Sequence, residues 1–158
     1  MDSPIELREL VEGIVESHRD RLGALLPVLH DVQERLGCIP QAAVPLIASA
    51  MSLSRAEIQG VIGFYHDFRN EPAGRHTIQL CRAEACQSMG SAQLEKHAQA
   101  RLGVAYGETT PDGRFTLEPV YCLGNCACSP SIRVDDRVHA RVSPEVFDQI
   151  VSGLEQSE

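Results

Sequence analysis

The sequence has no tryptophan, only seven other aromatic residues, and a single lysine among its 14 basic residues. It also lacks a long apolar run, because the most apolar stretch, residues 42–51, includes Pro45 and is far shorter than the roughly 20 residues of a membrane-spanning helix. The first residues have neither the positive n-region nor the apolar h-region of a signal peptide. We therefore expect a cytoplasmic protein without direct membrane insertion.

Positive charge is also scarce. The formal net charge is −8, with 10 acids and 6 bases in residues 1–70 and 12 acids and 8 bases in residues 71–158. Neither half holds the clustered Lys and Arg that phosphate recognition needs, which argues against a nucleic-acid partner. The 158 residues are 43% hydrophobic and 23% charged, as expected for one ordinary globular domain with at most a small appendage.

Catalytic motifs are missing as well. The sequence contains no G-x-G-x-x-G, no Walker sequence and no Ser, His and Asp order typical of a hydrolase. Its many carboxylates are scattered over predicted helix faces, where charge usually marks a solvated surface. We therefore expect no substrate-binding catalytic site on this chain.

Residues 1–70 have the pattern of helices. Capping boxes at residues 3–6 and 54–57 open the first and the fourth helix, Gly37 ends the second, and residues 41–50 form a short third. We expect a helical bundle in this part of the chain. Its role as a docking region is implied only by the family resemblance given below.

The pattern changes at Glu71-Pro72-Ala73-Gly74, the predicted boundary between domains 1–70 and 71–158. The predicted elements beyond it are a strand at 76–81, a helix at 88–102, a strand at 115–121, a hairpin of strands 131–134 and 137–142, and a helix from Ser143. This β-α-β-β-β-α order predicts an α+β fold, in which a small mixed sheet has helices packed on it.

Four of the six cysteines form two spaced pairs. Cys81 and Cys86 enclose four residues, Cys122 and Cys126 enclose three, and each pair begins where a predicted strand ends. If those two strands are neighbours in the sheet, both loops lie at one edge and the four thiols converge. In a reducing cytosol such clusters bind metal or do redox work more often than they form structural disulfides.

Two kinds of metal site are compatible with this spacing. Four thiolates suit a 2Fe–2S cluster, and the short spacers also allow a structural zinc ion. Spacers rich in Ala and Gly favour the cluster, because small residues let backbone N–H groups approach its sulfurs. A zinc-stapled interaction module remains the alternative, whereas no C-x-x-C follows a strand as a dithiol oxidoreductase requires.

A family resemblance adds to these observations. The two cysteine pairs, with the stretches LLPVLHDVQERLGCIP, GVIGFYHDF and CLGNCACSP, resemble the thioredoxin-like 2Fe–2S subunits of NADH dehydrogenase (complex I), NAD-linked hydrogenases and formate dehydrogenases. The resemblance covers nearly the whole chain and implies a helical region followed by a thioredoxin-like domain. It also implies that Cys81, Cys86, Cys122 and Cys126 hold the cluster.

Within that family, the stretch CRAEACQSMG and the short C-terminus most resemble the gamma subunit of cytosolic, NAD-dependent, molybdenum- or tungsten-containing formate dehydrogenase. The implied function is electron transfer during formate oxidation coupled to NAD reduction. The equivalent subunit of NADH:quinone oxidoreductase or of an NAD-linked hydrogenase is the alternative. The helical region argues against a free-standing shuttle ferredoxin.

The resemblance also implies partners. A 2Fe–2S cluster exchanges one electron at a time and NAD exchanges a hydride, so a flavin must mediate between them. The implied partners are a flavoprotein subunit that binds FMN and NAD, and a large formate-oxidising subunit with further clusters and a molybdenum cofactor. Phe64, Tyr65 and Phe68 are the candidate docking residues on the helical region.

Two residues are candidate neighbours of the cluster. Arg82 lies inside the first pair, where its cation could offset the negative charge of a cluster. Cys128 lies two residues after Cys126 and is expected to be a packed thiol rather than a ligand. Cys38, which follows a helix stop, is expected to pack in the interior.

Overall fold

The computed structural model describes residues 4–157, and the chain divides into two compact units, Met1–Pro72 and Ala73–Glu158. The first unit is helical throughout its regular structure. Its helices are α1 (Pro4–Ser17), α2 (Leu25–Leu36), α3 (Ala43–Met51) and α4 (Arg55–Phe64).

The ends of two of these helices follow directly from the sequence. Helix α2 stops at Gly37, whose φ of 76° is left-handed and whose N–H donates to the Gln33 carbonyl. Helix α4 opens with a complete capping box, in which the backbone N–H groups and side chains of Ser54 and Glu57 satisfy each other. Both predictions are confirmed, whereas the box predicted at Ser3 lies outside the described residues.

The first unit is held together by apolar side chains from all four helices. Gln33 ties the segment after α4 to α2, because its side chain donates to the Asp67 carbonyl at 2.8 Å and accepts from the Arg69 N–H at 2.7 Å. The fully buried large side chains of this core are Val11, Val28, Leu29, Val32, Ile39, Ile47 and Ile58.

The second unit is a mixed sheet with helices. In chain order it contains β1 (His76–Cys81), α5 (Glu84–Ser88), α6 (Ser91–Leu102), β2 (Glu108–Thr109), β3 (Phe115–Val120), a 3-10 turn (Cys126–Cys128), β4 (Ile132–Val134), β5 (Arg137–His139) and α7 (Pro144–Gln156). The strand order is β2-β3-β1-β4-β5, with β1 parallel to β3 and antiparallel to β4. This architecture confirms the predicted α+β class.

One apolar core joins the sheet to α6 and α7. Ile78 and Leu80 on β1 and Leu117 on β3 are fully or almost fully buried with Phe147 and Val151 of α7. Helix α7 begins as expected at Ser143, whose side chain accepts from the Val146 N–H. The central strand β1 is therefore fixed on its apolar face and by both of its neighbours, up to Cys81.

Some predicted boundaries are wrong. The helix expected at 88–102 begins at Ser91, after Gly90 with its φ of 93°, and the short helix α5 before it was not predicted. The last strand ends at His139 instead of residue 142, and the two-residue β2 was not predicted. None of the described helices is both long and apolar enough to cross a membrane.

Candidate metal centre

Both cysteine pairs begin at the same edge of the sheet. Cys81 is the last residue of β1, and Cys122 lies two residues beyond the end of β3. Because β1 and β3 are parallel neighbours, with Cys81 opposite Val120, their carboxyl ends lie side by side. Arg82 extends the pairing, since its N–H donates to the Val120 carbonyl at 2.7 Å. We call residues 81–86 the first cysteine loop and residues 122–126 the second.

The first cysteine loop presents two buried thiols. Cys81 is 3% exposed and Cys86, held on the single-turn helix α5, is 2% exposed. Burial raises the pKa of Cys81, while hydrogen bonds from the backbone N–H groups of Ala83 and Leu123 act in the opposite direction. Leu123 belongs to the second loop, so the two loops already share a contact at this sulfur.

The second cysteine loop presents two exposed thiols. The sulfurs of Cys122 and Cys126 are 3.7 Å apart, and the N–H of Gly124 donates to the Cys122 sulfur at 3.3 Å. That N–H and the Cys126 thiol lower the pKa of Cys122. The same contact with Cys122 raises the pKa of Cys126, so Cys122 is the first of the two to ionise.

The backbone of the second loop is strained. Cys122 has a φ of 137°, which side-chain-bearing residues rarely adopt, and Gly124 has a φ of 74°. Such conformations cost of the order of 1–3 kcal/mol each for a non-glycine residue, and they cluster at functional sites. The spacing of the cysteines alone gave no sign of this strain at Cys122.

Ser129 connects the two loops. Its hydroxyl accepts from the Cys86 thiol at 3.7 Å and donates to the Cys126 carbonyl at 2.6 Å, and the residue is buried. Charge on Cys86 and Cys81 also influences the pKa of Cys126. The structure thus brings the four thiols together as two adjacent pairs.

An arrangement in pairs fits two irons better than one zinc. In a 2Fe–2S cluster each iron takes two protein sulfurs, whereas zinc needs four ligands around one point. The backbone N–H groups of Ala83 and Leu123 donate hydrogen bonds to the Cys81 sulfur, and that of Gly124 donates to the Cys122 sulfur. Such hydrogen bonds to thiolate sulfur support and tune metal centres.

Arg82, the cation that the sequence places inside the first cysteine pair, has partners within the second unit. Its Nε lies 3.0 Å from Oε2 of Glu95 on α6, and its guanidinium carbon lies 5.5 Å from the centre of the Tyr106 ring. Burial and the neighbouring Glu95 raise the pKa of Tyr106 well above its usual range, so its hydroxyl stays neutral. Glu95 and Tyr106 were missed, because both are distant from the cysteines in sequence.

The two remaining cysteines differ from the four. Cys128 is half-buried in the 3-10 turn, where its N–H donates to the Asn125 carbonyl. Cys38 is buried, and burial together with nearby Glu71 raises the pKa of its thiol. The location of Cys38 agrees with a packing role.

The predicted docking residues divide into two groups. Phe64 and Tyr65 at the end of α4 are exposed and contact each other edge to face, with ring centres 5.1 Å apart. Phe68 is buried in the core of the first unit, 4.9 Å from the ring of His30. Phe68 is therefore a core residue, and only Phe64 and Tyr65 remain available to a partner.

The fold and the paired thiols define a class of protein, the ferredoxins in which a thioredoxin-like domain carries a 2Fe–2S cluster. Residues 11–155 match the family described as thioredoxin-like 2Fe-2S ferredoxin, and the chain belongs to that family. A 2Fe–2S cluster is accordingly its cofactor.

Curated relatives of the chain are subunits of larger oxidoreductases. It is 36% identical to a subunit of the NADH-quinone oxidoreductase of Pseudomonas aeruginosa over 138 residues, which is 87% of this chain and 83% of the relative. It is 32% identical to a subunit of the NADP-reducing hydrogenase of Solidesulfovibrio fructosivorans over 145 residues, covering 92% of this chain and 84% of the relative.

A solved structure shares the fold. The NAD+-reducing NiFe-hydrogenase in its air-oxidized state superposes with a TM-score of 0.70 at 24% identity, over 84% of this chain. The matched part is only 23% of the hydrogenase chain.

Proposed function

We propose that Cys81, Cys86, Cys122 and Cys126 hold the 2Fe–2S cluster, and that the chain is the electron-transfer subunit of an NAD-linked oxidoreductase complex. The observation that carries this proposal is the convergence of the two cysteine pairs at the ends of the neighbouring parallel strands β1 and β3. Family membership supplies the identity of the cofactor.

The two loops would have different roles around the cofactor. When bound, the cluster supplies one-electron transfer, whereas NAD takes up two electrons as a hydride, so a flavin-bearing partner subunit with FMN and an NAD site must convert between the two. The buried thiols of Cys81 and Cys86 anchor one side and exclude water from it. The exposed thiols of Cys122 and Cys126 leave the other side open to that partner.

Two exposed apolar side chains lie close to the cysteine loops in sequence. Tyr121, next to Cys122, is 68% exposed, and Met89, directly after α5, is 62% exposed. Large apolar side chains are enriched at protein interfaces. We assign them, with Phe64 and Tyr65 of the helical region, to contacts with the flavoprotein subunit.

Three kinds of complex are candidates for the setting of this subunit. The stretch CRAEACQSMG supports an NAD-dependent formate dehydrogenase, in which a large formate-oxidising subunit would supply the electrons. The named relatives support NADH:quinone oxidoreductase or a hydrogenase instead. We assign the chain the same electron-transfer role in all three.

The cofactor assignment is tested on the purified full chain. We expect two irons and two acid-labile sulfides per chain, and a visible spectrum that bleaches on reduction. Replacement of Cys122 by Ser should lower the iron content and abolish the visible spectrum. A colourless chain that contains zinc would contradict the assignment.

The complex is tested by mild affinity capture from the native host. We expect an FMN-containing subunit to co-purify, and formate-dependent NAD reduction by the captured material would select formate dehydrogenase over an NADH:quinone oxidoreductase. Combined replacement of Phe64 and Tyr65 by Ala should weaken capture of the flavoprotein. Leu22→Ala, at an exposed apolar position between α1 and α2, is the control, and equal capture by both variants would contradict the docking assignment.

A further inference from the structure

The side chain of Arg82, in the first cysteine loop, reaches the residue that precedes the second cysteine loop. Arg82 directly follows Cys81, and its side chain interacts with the hydroxyl of Tyr121, the residue before Cys122. Its Nε lies 3.0 Å from Oε2 of Glu95, and its guanidinium lies over the ring of Tyr106. Arg82 is therefore the sequence neighbour of the proposed ligand Cys81, and its side chain contacts the sequence neighbour of the proposed ligand Cys122.

The ion pair is only partly exposed to water. The side chain of Arg82 is 38% exposed and that of Glu95 is 21% exposed, so solvent screens their charges less than it would on an open surface. Glu95 comes from α6, outside both loops, and its carboxylate is fixed by the helix. It holds the guanidinium against Tyr106 and offsets its positive charge.

The charges of Arg82 and Glu95 would affect the one-electron reduction of a cluster bound at this site. Reduction adds one electron and no bond is made or broken, so the reduced centre is more negative by one charge. A nearby positive charge favours that state and a nearby negative charge disfavours it, because charge and burial around a cluster tune its potential. The balance between Arg82 and Glu95 therefore influences how readily the centre accepts an electron.

We propose that Glu95 is a positioning residue that sets the reduction potential of the cluster, by fixing the side chain of Arg82 in the first cysteine loop beside Tyr121 and neutralising its charge. This inference rests on the ligand assignment proposed above. Glu95→Gln would leave the cation uncompensated and raise the potential. Arg82→Gln would leave the carboxylate uncompensated and lower it, and the double variant would return close to the wild-type value.

The chain offers a matched control on the same helix. Arg101 of α6 pairs with Glu155 of α7 at 3.0 Å with comparable exposure. Arg101 lies six residues beyond Glu95, about 9 Å further along the helix axis. Arg101 also lies 3.9 Å from Asp148. Glu155→Gln removes one carboxylate charge beside this arginine, and it should leave the potential unchanged.

The experiment is a redox titration of the full chain, wild type and the four variants, followed by visible absorption and electron paramagnetic resonance, with iron and sulfide measured on each sample. Opposite shifts for the two single variants, cancellation in the double variant and no shift for Glu155→Gln support the inference. Shifts of the same sign, no shift, or loss of iron from Glu95→Gln would overturn it, the last by showing a merely structural role. A wild-type chain without iron and sulfide would instead overturn the proposed function, and with it this inference.

Discussion

The two cysteine loops hold the same chemical groups by different physical means. In the first, the thiols are buried, and they lie on regular structure at the end of β1 and on α5. In the second, the thiols are exposed on an irregular backbone, with a left-handed Cys122 and a hydrogen bond from the Gly124 N–H. Core packing fixes one pair, and local backbone geometry fixes the other.

This difference assigns separate tasks to the two pairs. A pair inside the core cannot move without disturbing the sheet, so it gives the site a fixed position. A pair at the surface can face solvent or a partner subunit, and its geometry depends on a few hydrogen bonds. Variants that affect one loop and spare the other therefore test the comparison.

Removing one cysteine from each loop should give the largest effect. We expect Cys86→Ala and Cys122→Ala to lose the cluster alike, as judged by iron, sulfide and visible absorption. Only Cys86→Ala should also destabilise the cluster-free chain in urea unfolding, by about 1 kcal/mol, because it removes a buried sulfur and leaves a small cavity. Equal stability of the two cluster-free variants would contradict the division into a packed and a surface pair.

Thiol reactivity in the cluster-free chain should separate the loops next. The thiolate is the nucleophile, and a buried thiol must first become exposed, so we expect an alkylating reagent to label Cys122 at least about tenfold faster than Cys81. The pKa of Cys122 is lowered and that of Cys81 is raised. Labelling of Cys122 should therefore reach its plateau at a lower pH. Peptide mapping by mass spectrometry across a pH series measures this, and equal rates would contradict it.

Ser129→Ala tests the connection between the loops. It removes both the contact with the Cys86 thiol and the hydrogen bond to the Cys126 carbonyl, which should cost about 1 kcal/mol of unfolding free energy in the cluster-free chain. Ser88→Ala is the control, because Ser88 is exposed and bonds only within α5. The Ser88→Ala change in unfolding free energy should stay within about 0.5 kcal/mol. An equal loss of stability in the two variants would show that Ser129 does not connect the loops.

Cys128→Ser should have the smallest effect. Cys128 is half-buried in the 3-10 turn beside the second loop, and we expect the iron content and visible spectrum of this variant to match those of the wild type. Loss of iron would show that the second loop uses Cys128 as a ligand and that the two pairs are misassigned.

Much of the scaffold could be predicted because its signals are local. The alternation that ends at Cys81 gave β1 with its observed bounds, and Gly37 and the Ser54 capping box marked helix ends that the structure contains. The adjacency of the two cysteine loops needed the additional expectation that their strands are neighbours. That expectation is confirmed by the parallel pairing of β1 with β3.

What could not be predicted depends on contacts distant in sequence or on very short elements. Helix α5 has only five residues and no side-chain cap, so it has no periodic pattern to detect. The partners of Arg82 lie on α6 and beyond it, and the left-handed conformation of Cys122 is imposed by its surroundings. These features determine the electrostatics and strain of the site, whereas spacing identified only its sulfurs.

The parallel pairing of β1 and β3 has a consequence for how the protein matures. The two strands are joined by a crossover that contains α5, α6 and β2, so their pairing is a contact distant in sequence that forms only when much of this unit has folded. Before that moment each loop offers an incoming cluster two thiols, and afterwards the chain offers four. On the proposed ligand assignment, cofactor loading would depend on correct assembly of the sheet, and misfolded chains would be left without the cofactor.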